Sequence, residues 1–479
     1  MGKFVADLHL HSAYARATSK NLNFDTLTEW ARVKGIDLLS SADFTHPLWF
    51  AETKKKLKEG GDGLLSYNGS KFMLGAEVSC IFSQGGRLRR VHLLLYVPSL
   101  EAAEKVNREL GKRGKLASDG RPILGLTGRN VLEILLEASP EAIMIPAHAW
   151  TPWFGVLGQN GGFNSLEECF GDLTKYIYAV ETGLSSDQAM NWRVKELDRV
   201  SLVSFSDAHS APKMGRELTI FETELSYEGL LNALKFSLST GPAGLDPTPT
   251  SSPAAAGARV GAPRPSPVNS ALVPVNSQKL APSPSQARIF STIEFFPEEG
   301  KYHINGHRSC NFRETPEQTL KRGLLCPNCN RPLTIGVMHR VEQLAEKDRP
   351  DGFKAEHRPG FKKLVPLQEI IAETIGSPFT SSKVVQSYQN LTSQLGSELS
   401  ILTSVGLETI SKAVGEKMAE GVEKVRSGDI VIEPGYDGVF GTVRIWPARP
   451  AGGPAEEKRN RTEPVKKVPA DREGQIQLF

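Results

Sequence analysis

The sequence predicts an α/β chain built on parallel strands, open or closed into a barrel, with smaller units following it. Three observations carry this. From residue 1 to about 240, short apolar runs alternate with helical patterns. Polar residues gather where the predicted strands end, in ADLHLH, SSADFTH, GAEVS, VHLLLY, IPAHAW, VETG and SFSDAH, which is where such barrels place their chemistry. Beyond residue 240 the composition changes: ten of the 31 prolines fall within 241–286, with no Phe, Trp or Tyr.

The first strand, 4–11, reads FVADLHLH. Alternate side chains share a strand face, so Asp7, His9 and His11 point together, with the two imidazoles about 6–7 Å apart. Asp7 is placed to accept a ring N–H and fix a tautomer. Further strands are expected at 37–41, 72–82, 91–97, 142–147, 177–181, 201–206 and 218–221. Helix-like stretches at 24–33, 100–110 and 129–137 lie between them. This makes 1–240 the first domain. The segment 241–288 cannot bury enough apolar area to offset its ordering entropy and reads as a linker or insertion. A compact unit follows at 289–363. After it, 364–446 is helical, with Leu402, Val405, Leu407, Ile410 and Val414 at three- and four-residue spacing, and ends in a short β piece. The tail, 447–479, is rich in Pro, Gly and charge.

A length of 479 residues exceeds one ordinary domain, and 39% hydrophobic with 23% charged residues is ordinary for globular protein. A net charge of +3 is too small to argue a nucleic-acid partner from the total. The chain has no run of 18 apolar residues, opens on a charged strand rather than a secretory signal, and its five cysteines make no disulfide framework. A cytoplasmic protein without a membrane partner is expected.

Six of the ten histidines precede residue 210: His9, His11, His46, His92, His148 and His209. Asp43, Glu77 and Asp207 stand beside them, the last repeating the two-residue spacing of the first strand. Nine N and O ligands exceed what one ion needs, so a centre of two or three divalent metals is implied. Zn²⁺, Mn²⁺ or Fe suits the mixed set, with Mg²⁺ fitting an oxygen-rich position. Such ions lower the pKa of water and clamp phosphate, so hydrolysis of a phosphate ester is the expected reaction. His209 or His148 is the candidate for protonating the leaving group. Cys80 reads as core. A second cluster, His307, Cys310, Cys326 and Cys329, has the spacing of one structural zinc, with His303 the alternative fourth ligand. Residues 299–363 hold 13 Lys and Arg against 8 Asp and Glu, a surplus that suits a phosphate backbone as well as a solvated surface.

DLHLHS, ADFTH, GAEVS, VHLLLY, PAHAW and SDAHS resemble the successive motifs of the PHP (polymerase and histidinol phosphatase) superfamily. The resemblance implies a distorted (β/α)7 barrel with a trinuclear metal site, followed here by the zinc-binding module and the helical C-terminal region. It matches His9 and His11 to the first motif, Glu77 to the bridging acid, His92 and His148 to the middle motifs, and Asp207 with His209 to the last. The second motif departs from the usual adjacent Asp-His, because Phe44 and Thr45 separate Asp43 from His46; which of the two is the ligand stays open. The order of parts further resembles the endonuclease Q family of bacterial type, on HSAYARATSKNLN, SSADFTHP, FFPEEGKYHINGHRSC, CPNCNRPLTIGVMHRVEQLA and GYDGVFGTVRIW. That implies cleavage of DNA 5′ to a deaminated base (hypoxanthine, uracil, xanthine) or an abasic site, leaving 3′-hydroxyl and 5′-phosphate ends. Flipping a damaged nucleotide needs a walled pocket, for which Trp150, Trp153 and Phe154 are candidates. Arg16, Thr18, Ser19 and Lys20 are candidates for holding phosphate. The last five residues, Gln475, Ile476, Gln477, Leu478 and Phe479, resemble the pentapeptide that binds the bacterial DNA sliding clamp. Two rival readings are a phosphatase of small phosphomonoesters and a non-catalytic DNA-binding scaffold.

Overall fold

The computed structural model describes residues 2–236 and 287–447; the Pro-rich 241–286 and the terminal pentapeptide lie outside the described residues. Strand β1 (Lys3–Asp7), helix α1 (Phe24–Lys34), β2 (Leu38–Ser40) and α2 (Pro47–Lys56) make the first two β–α steps. In α1 the buried Phe24, Leu27, Thr28 and Ala31 follow helical spacing. Asn23 caps Thr26 N, and Gly35 closes the helix in the left-handed region. Short β3 (Lys58–Glu59) and β4 (Leu65–Tyr67) lead into β5 (Ser70–Gln84), which reverses into β6 (Arg87–Val97). Then come α3 (Leu100–Gly111), β7 (Ile123–Leu124), α4 (Gly128–Ala138), β8 (Ile143–Pro146), α5 (Leu166–Phe170), β9 (Ala179–Glu181), α6 (Gln188–Trp192), β10 (Ser201–Val203), β11 (Leu218–Glu222) and α7 (Tyr227–Phe236).

Seven of these strands form a ring. β1 pairs in parallel with β2, and β2 with β5; β5, β6 and β8 pair antiparallel in turn; β9 and β10 are parallel. A hydrogen bond from Ala149 N to Glu181 O (3.0 Å) joins the β8 and β9 ends, and a parallel bridge between Leu10 and Ala208 closes β10 onto β1. The result is the distorted barrel the resemblance implies. Its departure from all-parallel order is β5–β6, a long antiparallel hairpin where the sequence suggested two separate parallel strands. The cause is local: Gly85 and Gly86 both take positive φ, as a two-residue hairpin turn requires.

The sheet continues past the ring. β11 runs antiparallel to β1 and to β12 (Arg288–Glu294). The cysteine-bearing unit follows: β13 (Asn305–His307), β14 (Phe312–Glu314), α8 (Pro316–Arg322) and α9 (Val337–Leu344). The chain then returns as β15 (Gly360–Lys363), parallel to β12. A boundary at 289 therefore runs through a continuous sheet, and the cysteine unit is an excursion between two of its strands. Arg340 of α9 fastens it to the barrel through the carbonyls of Leu157 (3.0 Å) and Phe163 (2.9 Å). Arg349 adds a two-pronged bond to Asp198 (2.9 and 2.6 Å).

Helices α10 (Leu367–Ile375), α11 (Ser382–Leu395), α12 (Glu398–Thr403), α13 (Leu407–Val414) and α14 (Glu416–Ser427) precede the hairpin of β16 (Val431–Glu433) and β17 (Thr442–Arg444). The helices sit against α1, where buried Lys34 pairs with buried Glu398 at 2.7 Å. Among the described residues no helix is long and apolar enough to cross a membrane.

Candidate metal centre

The two first-motif histidines lie just past β1, which ends at Asp7 rather than running on to residue 11. Their rings still converge, 5.4 Å apart. Each is held through Nδ1 by a carboxylate. His9 Nδ1–H donates to Glu181 (3.0 Å to either oxygen), and His11 Nδ1–H donates to Asp43 Oδ1 (3.3 Å). Both Nε2 atoms are thereby aimed inward. Asp7 does not fix a tautomer, as its strand position suggested. It turns to the adjacent loop and accepts from Ser206 N (3.0 Å) and Gly215 N (2.9 Å), while burial pushes its carboxyl up to about 6.

The inward nitrogens meet two acids. His9 Nε2 lies 3.5 Å from Glu77 Oε2 and 3.4 Å from Asp207 Oδ1. His11 Nε2 lies 3.3 and 3.1 Å from the same oxygens. Glu77 turns its other oxygen to a second set: Oε1 is 2.7 Å from His92 Nδ1 and 3.3 Å from His148 Nε2. So Glu77, at the middle of β5, belongs to two of the three groups among the described residues that could hold a metal ion, His9–His11–Glu77–Asp207 and Glu77–His92–His148. The first group fits a divalent ion on two counts. His9 Nε2 is buried without a hydrogen-bond partner. Its spacings also match ligands sharing one ion: two atoms each about 2.1 Å from a metal at a tetrahedral angle are about 3.4 Å apart.

Electrostatics keep the two acids facing these imidazoles ionised. Burial opposes charge on Glu77, but Arg121, His92 and His9 outweigh it and hold its carboxyl well below the usual range. Asp207 is likewise lowered against burial by His9, His209 and His11. Burial takes His92 down to about 3, leaving it neutral, the form a metal ligand needs.

Backbone strain is concentrated here. Ala42, Asp43, His148 and Asp207 all take positive φ, a conformation costing about 1 kcal/mol or more for a residue with a side chain. Packing enforces it. Buried Trp49 ties the carbonyls of Ser41 and Ala42 (2.9 and 3.0 Å), and Ser12 donates N–H and O–H to Asp43 Oδ2 (2.7 and 2.6 Å). Gly183 lies against His148 so closely that a Cβ there would sit 2.4 Å from the histidine's own.

The remaining candidates scatter. Asp43 serves His11 rather than facing the acids. His46 caps α2, accepting from Trp49 N at 3.5 Å with its ring on Tyr14, and belongs to neither metal group. His209 sits 4.6 Å from the His11 ring, donates Nδ1–H to Asp207 O (3.0 Å), and its side chain is 31% exposed. Of the loop after the first motif, Ser19 N reaches His209 O (2.9 Å), Thr18 donates its hydroxyl to Ser12 and Ala15 carbonyls, and Lys20 reaches Ala13 O. Arg16 and Lys20 are exposed. Phe154 packs on His92 at 4.4 Å and Trp153 meets Tyr302 edge-on, whereas Trp150 is core, bonded to Asn191. Cys80 is buried and burial pushes its thiol up to about 12.

Two residues of this centre had no role in the sequence reading. Glu181 holds His9 and also accepts His148 N (2.7 Å); its one signal was a place at the end of a strand, in VETG. Arg121, with Nη1 3.1 Å from Glu77 Oε2, had none. It stands in an unremarked loop before β7.

The second cluster forms as spaced. His307, Cys310, Cys326 and Cys329 bring ligand atoms within 4.8 Å of one another. The CPNC turn supports it: Cys326 N reaches Arg331 O (2.7 Å) and Asn330 takes positive φ. Against some burial, backbone N–H groups of Asn328 and Cys329 bring the Cys326 thiol down to about 7. His303 stays outside that group, buried with Nδ1 unpartnered.

A barrel that gathers acids and imidazoles around one shared glutamate resembles that of a PHP-type hydrolase. The comparisons narrow the class. The structure is similar to the lesion-specific endonuclease PfuEndoQ of Pyrococcus furiosus (TM-score 0.73, 28% identity, 92% of this chain and 95% of that one). It is equally similar to endonuclease Q in complex with a 27-mer duplex carrying an abasic lesion at the active site (TM-score 0.72, 27% identity, 93% and 97%). The chain thus resembles endonuclease Q over nearly its whole length. Residues 366–429 match the family described as the MJ0043 C-terminal domain. The uncharacterised protein MJ0043 of Methanocaldococcus jannaschii is 27% identical over 307 residues, 63% of this chain and 32% of its own, so this chain spans about a third of that relative.

Proposed function

We propose that the chain is a metal-dependent DNA endonuclease that cuts the phosphodiester 5′ to an abasic site or a deaminated base, hypoxanthine, uracil or xanthine, leaving 3′-hydroxyl and 5′-phosphate ends. The observation that carries it is Glu77, which turns one oxygen to His9 and His11 and the other to His92 and His148 within a chain alike throughout to a nuclease seen on abasic DNA. His9, His11, Glu77 and Asp207 would hold one ion and Glu77, His92 and His148 another; Zn²⁺, Mn²⁺ or Fe suits the imidazole positions, with Mg²⁺ possible among the oxygens. Bound there, such ions lower the pKa of water toward neutrality and neutralise phosphate charge. The protein's own groups do the rest. Glu181 and Asp43 keep the His9 and His11 Nε2 atoms aimed inward. His209, partly exposed beside the His11 ring, would when doubly protonated give a proton to the leaving oxygen from Nε2, since Nδ1–H is bonded to Asp207 O. Exposed Arg16 and Lys20 lie on the loop bonded to the His209 carbonyl and suit flanking phosphates, with Thr18 and Ser19 shaping that loop.

The Cys3His cluster suits one structural zinc. The pentapeptide Gln475–Phe479 suits a sliding clamp, so its deletion should abolish clamp pull-down and leave nicking of free oligonucleotides unchanged. The test of the main reading is incubation with duplexes carrying dI, dU or an abasic site plus Mn²⁺ or Mg²⁺, with the cut mapped on a sequencing gel. A metal-dependent nick on the 5′ side of the lesion is expected. Release of inorganic phosphate from small monoesters without any nick would favour a phosphatase instead.

A further inference from the structure

Arg121 stands at the centre and the metal cage does not account for it. The guanidinium touches Glu77 Oε2 through Nη1, and the side chain is 13% exposed. Among the described residues Glu77 is the one hydrogen-bond acceptor of this guanidinium, so most of its five N–H donors have no protein partner. Its backbone is held tightly. Asp119 accepts both Arg121 N (3.1 Å) and Arg16 N (3.0 Å), and Ser79 N, two residues from Glu77 on β5, reaches Pro122 O (3.0 Å). The loop also presses on the acid that holds His11: a Cβ at Gly120 would sit 2.3 Å from Asp43 Oδ2, so only glycine lets it approach. Arg121 is therefore fixed against the same strand that presents Glu77.

A partner for Glu77 is not a sufficient reason for such a residue. Once Glu77 shares its two oxygens between cations, a guanidinium at 3.1 Å faces like charge and gains nothing from the carboxylate alone. An anion arriving between them restores the balance, and a phosphate presents the paired oxygens a guanidinium fork fits. We propose that Arg121 is a catalytic residue that binds the non-bridging oxygens of the scissile phosphodiester and stabilises the charge that grows on them as the strand is cut. This rests on the nuclease reading above.

The test uses the full chain with Arg121→Gln and Arg121→Lys, and three readouts: ion content by mass spectrometry, anisotropy of a labelled abasic duplex on ion-stripped protein, and nicking with and without added guanidinium at tens of millimolar. Arg121→Gln should keep its ions, bind the duplex more weakly, nick ~100-fold more slowly or worse, and recover part of that rate with guanidinium. Arg121→Lys, which keeps the charge but not the fork, should fall between. A loss of nicking that tracks loss of ions, or binding and nicking both unchanged, overturns the assignment. If the unaltered protein hydrolyses p-nitrophenyl phosphate but nicks no DNA, the nuclease reading fails by itself. Arg121 is then judged by the same variants on that ester, whose phosphoryl group also presents non-bridging oxygens.

Discussion

Glu181 touches two proposed ligands at once, the His9 ring through Nδ1 and His148 through its backbone N–H. Glu181→Gln should therefore weaken ion binding about 10–100-fold, read by titration of stripped protein with Mn²⁺ or Zn²⁺. His46 belongs to a different category. As the cap of α2, its replacement by Ala should cost about 1 kcal/mol in urea unfolding and leave ion content unchanged. A fall in ion content would return His46 to the ligand set. The contrast explains what was legible at this scale. His9, His11, Glu77 and Asp207 could be picked out as candidate ligands because metal ligands come from few residue types. The division between Asp43 and His46 could not, because it depends on a left-handed turn at Ala42 and Asp43 that Trp49 and Ser12 enforce. Asp7 was given the tautomer-fixing role because a straight strand would put it there; β1 ends at Asp7, and the role falls to Glu181, 172 residues beyond His9.

Strand β12 shows how an element can carry charge into the core. Its Glu294 is fully buried, and burial, with Asp187 nearby, raises its carboxyl to about 7 despite bonds from Thr292, Ser204 and Thr182. The folded state thus holds this proton more tightly than the unfolded chain does. The resulting stability is complete below about pH 4 and is lost as pH rises through 7, a contribution on the order of 3 kcal/mol. Glu294→Gln should flatten the fall in unfolding midpoint between pH 5 and 8; an unaltered pH profile would show that Glu294 titrates normally. Elements of this kind were only partly legible. The existence of β1, β2 and β8 to β11 followed from apolar runs of the right length. The β5–β6 hairpin was missed because Arg87, Arg89 and Arg90 are exposed or half-buried and hide the strand's beginning, although Gly85-Gly86 was a turn signal.

At the scale of the molecule, the barrel and the C-terminal helices are joined by a charge pair that water does not reach. Lys34 of α1 meets Glu398 of α12, which also accepts from Tyr388 OH (2.5 Å) and Leu367 N (3.1 Å). Lys34→Met should lower stability by about 3 kcal/mol by stranding the acid, and Glu398→Gln added to it should recover part of the loss in thermal unfolding. No recovery would mean that Lys34 acts through packing alone. The pair was invisible in the sequence, where residues 34 and 398 share no motif. The continuation of the barrel sheet into β12 and β15 was hidden too, because the Pro-rich stretch before it looked like a boundary. The arrangement these parts support is a set of acids and imidazoles, drawn from distant strands, that shares ions through Glu77. Counting ions by mass spectrometry in the unaltered protein and in Glu77→Gln, with nicking of an abasic duplex assayed on the same samples, tests this most directly. The account predicts that the variant loses barrel ions and nicking together while keeping the ion of its Cys3His cluster. Full ion content and undiminished nicking in Glu77→Gln would contradict it.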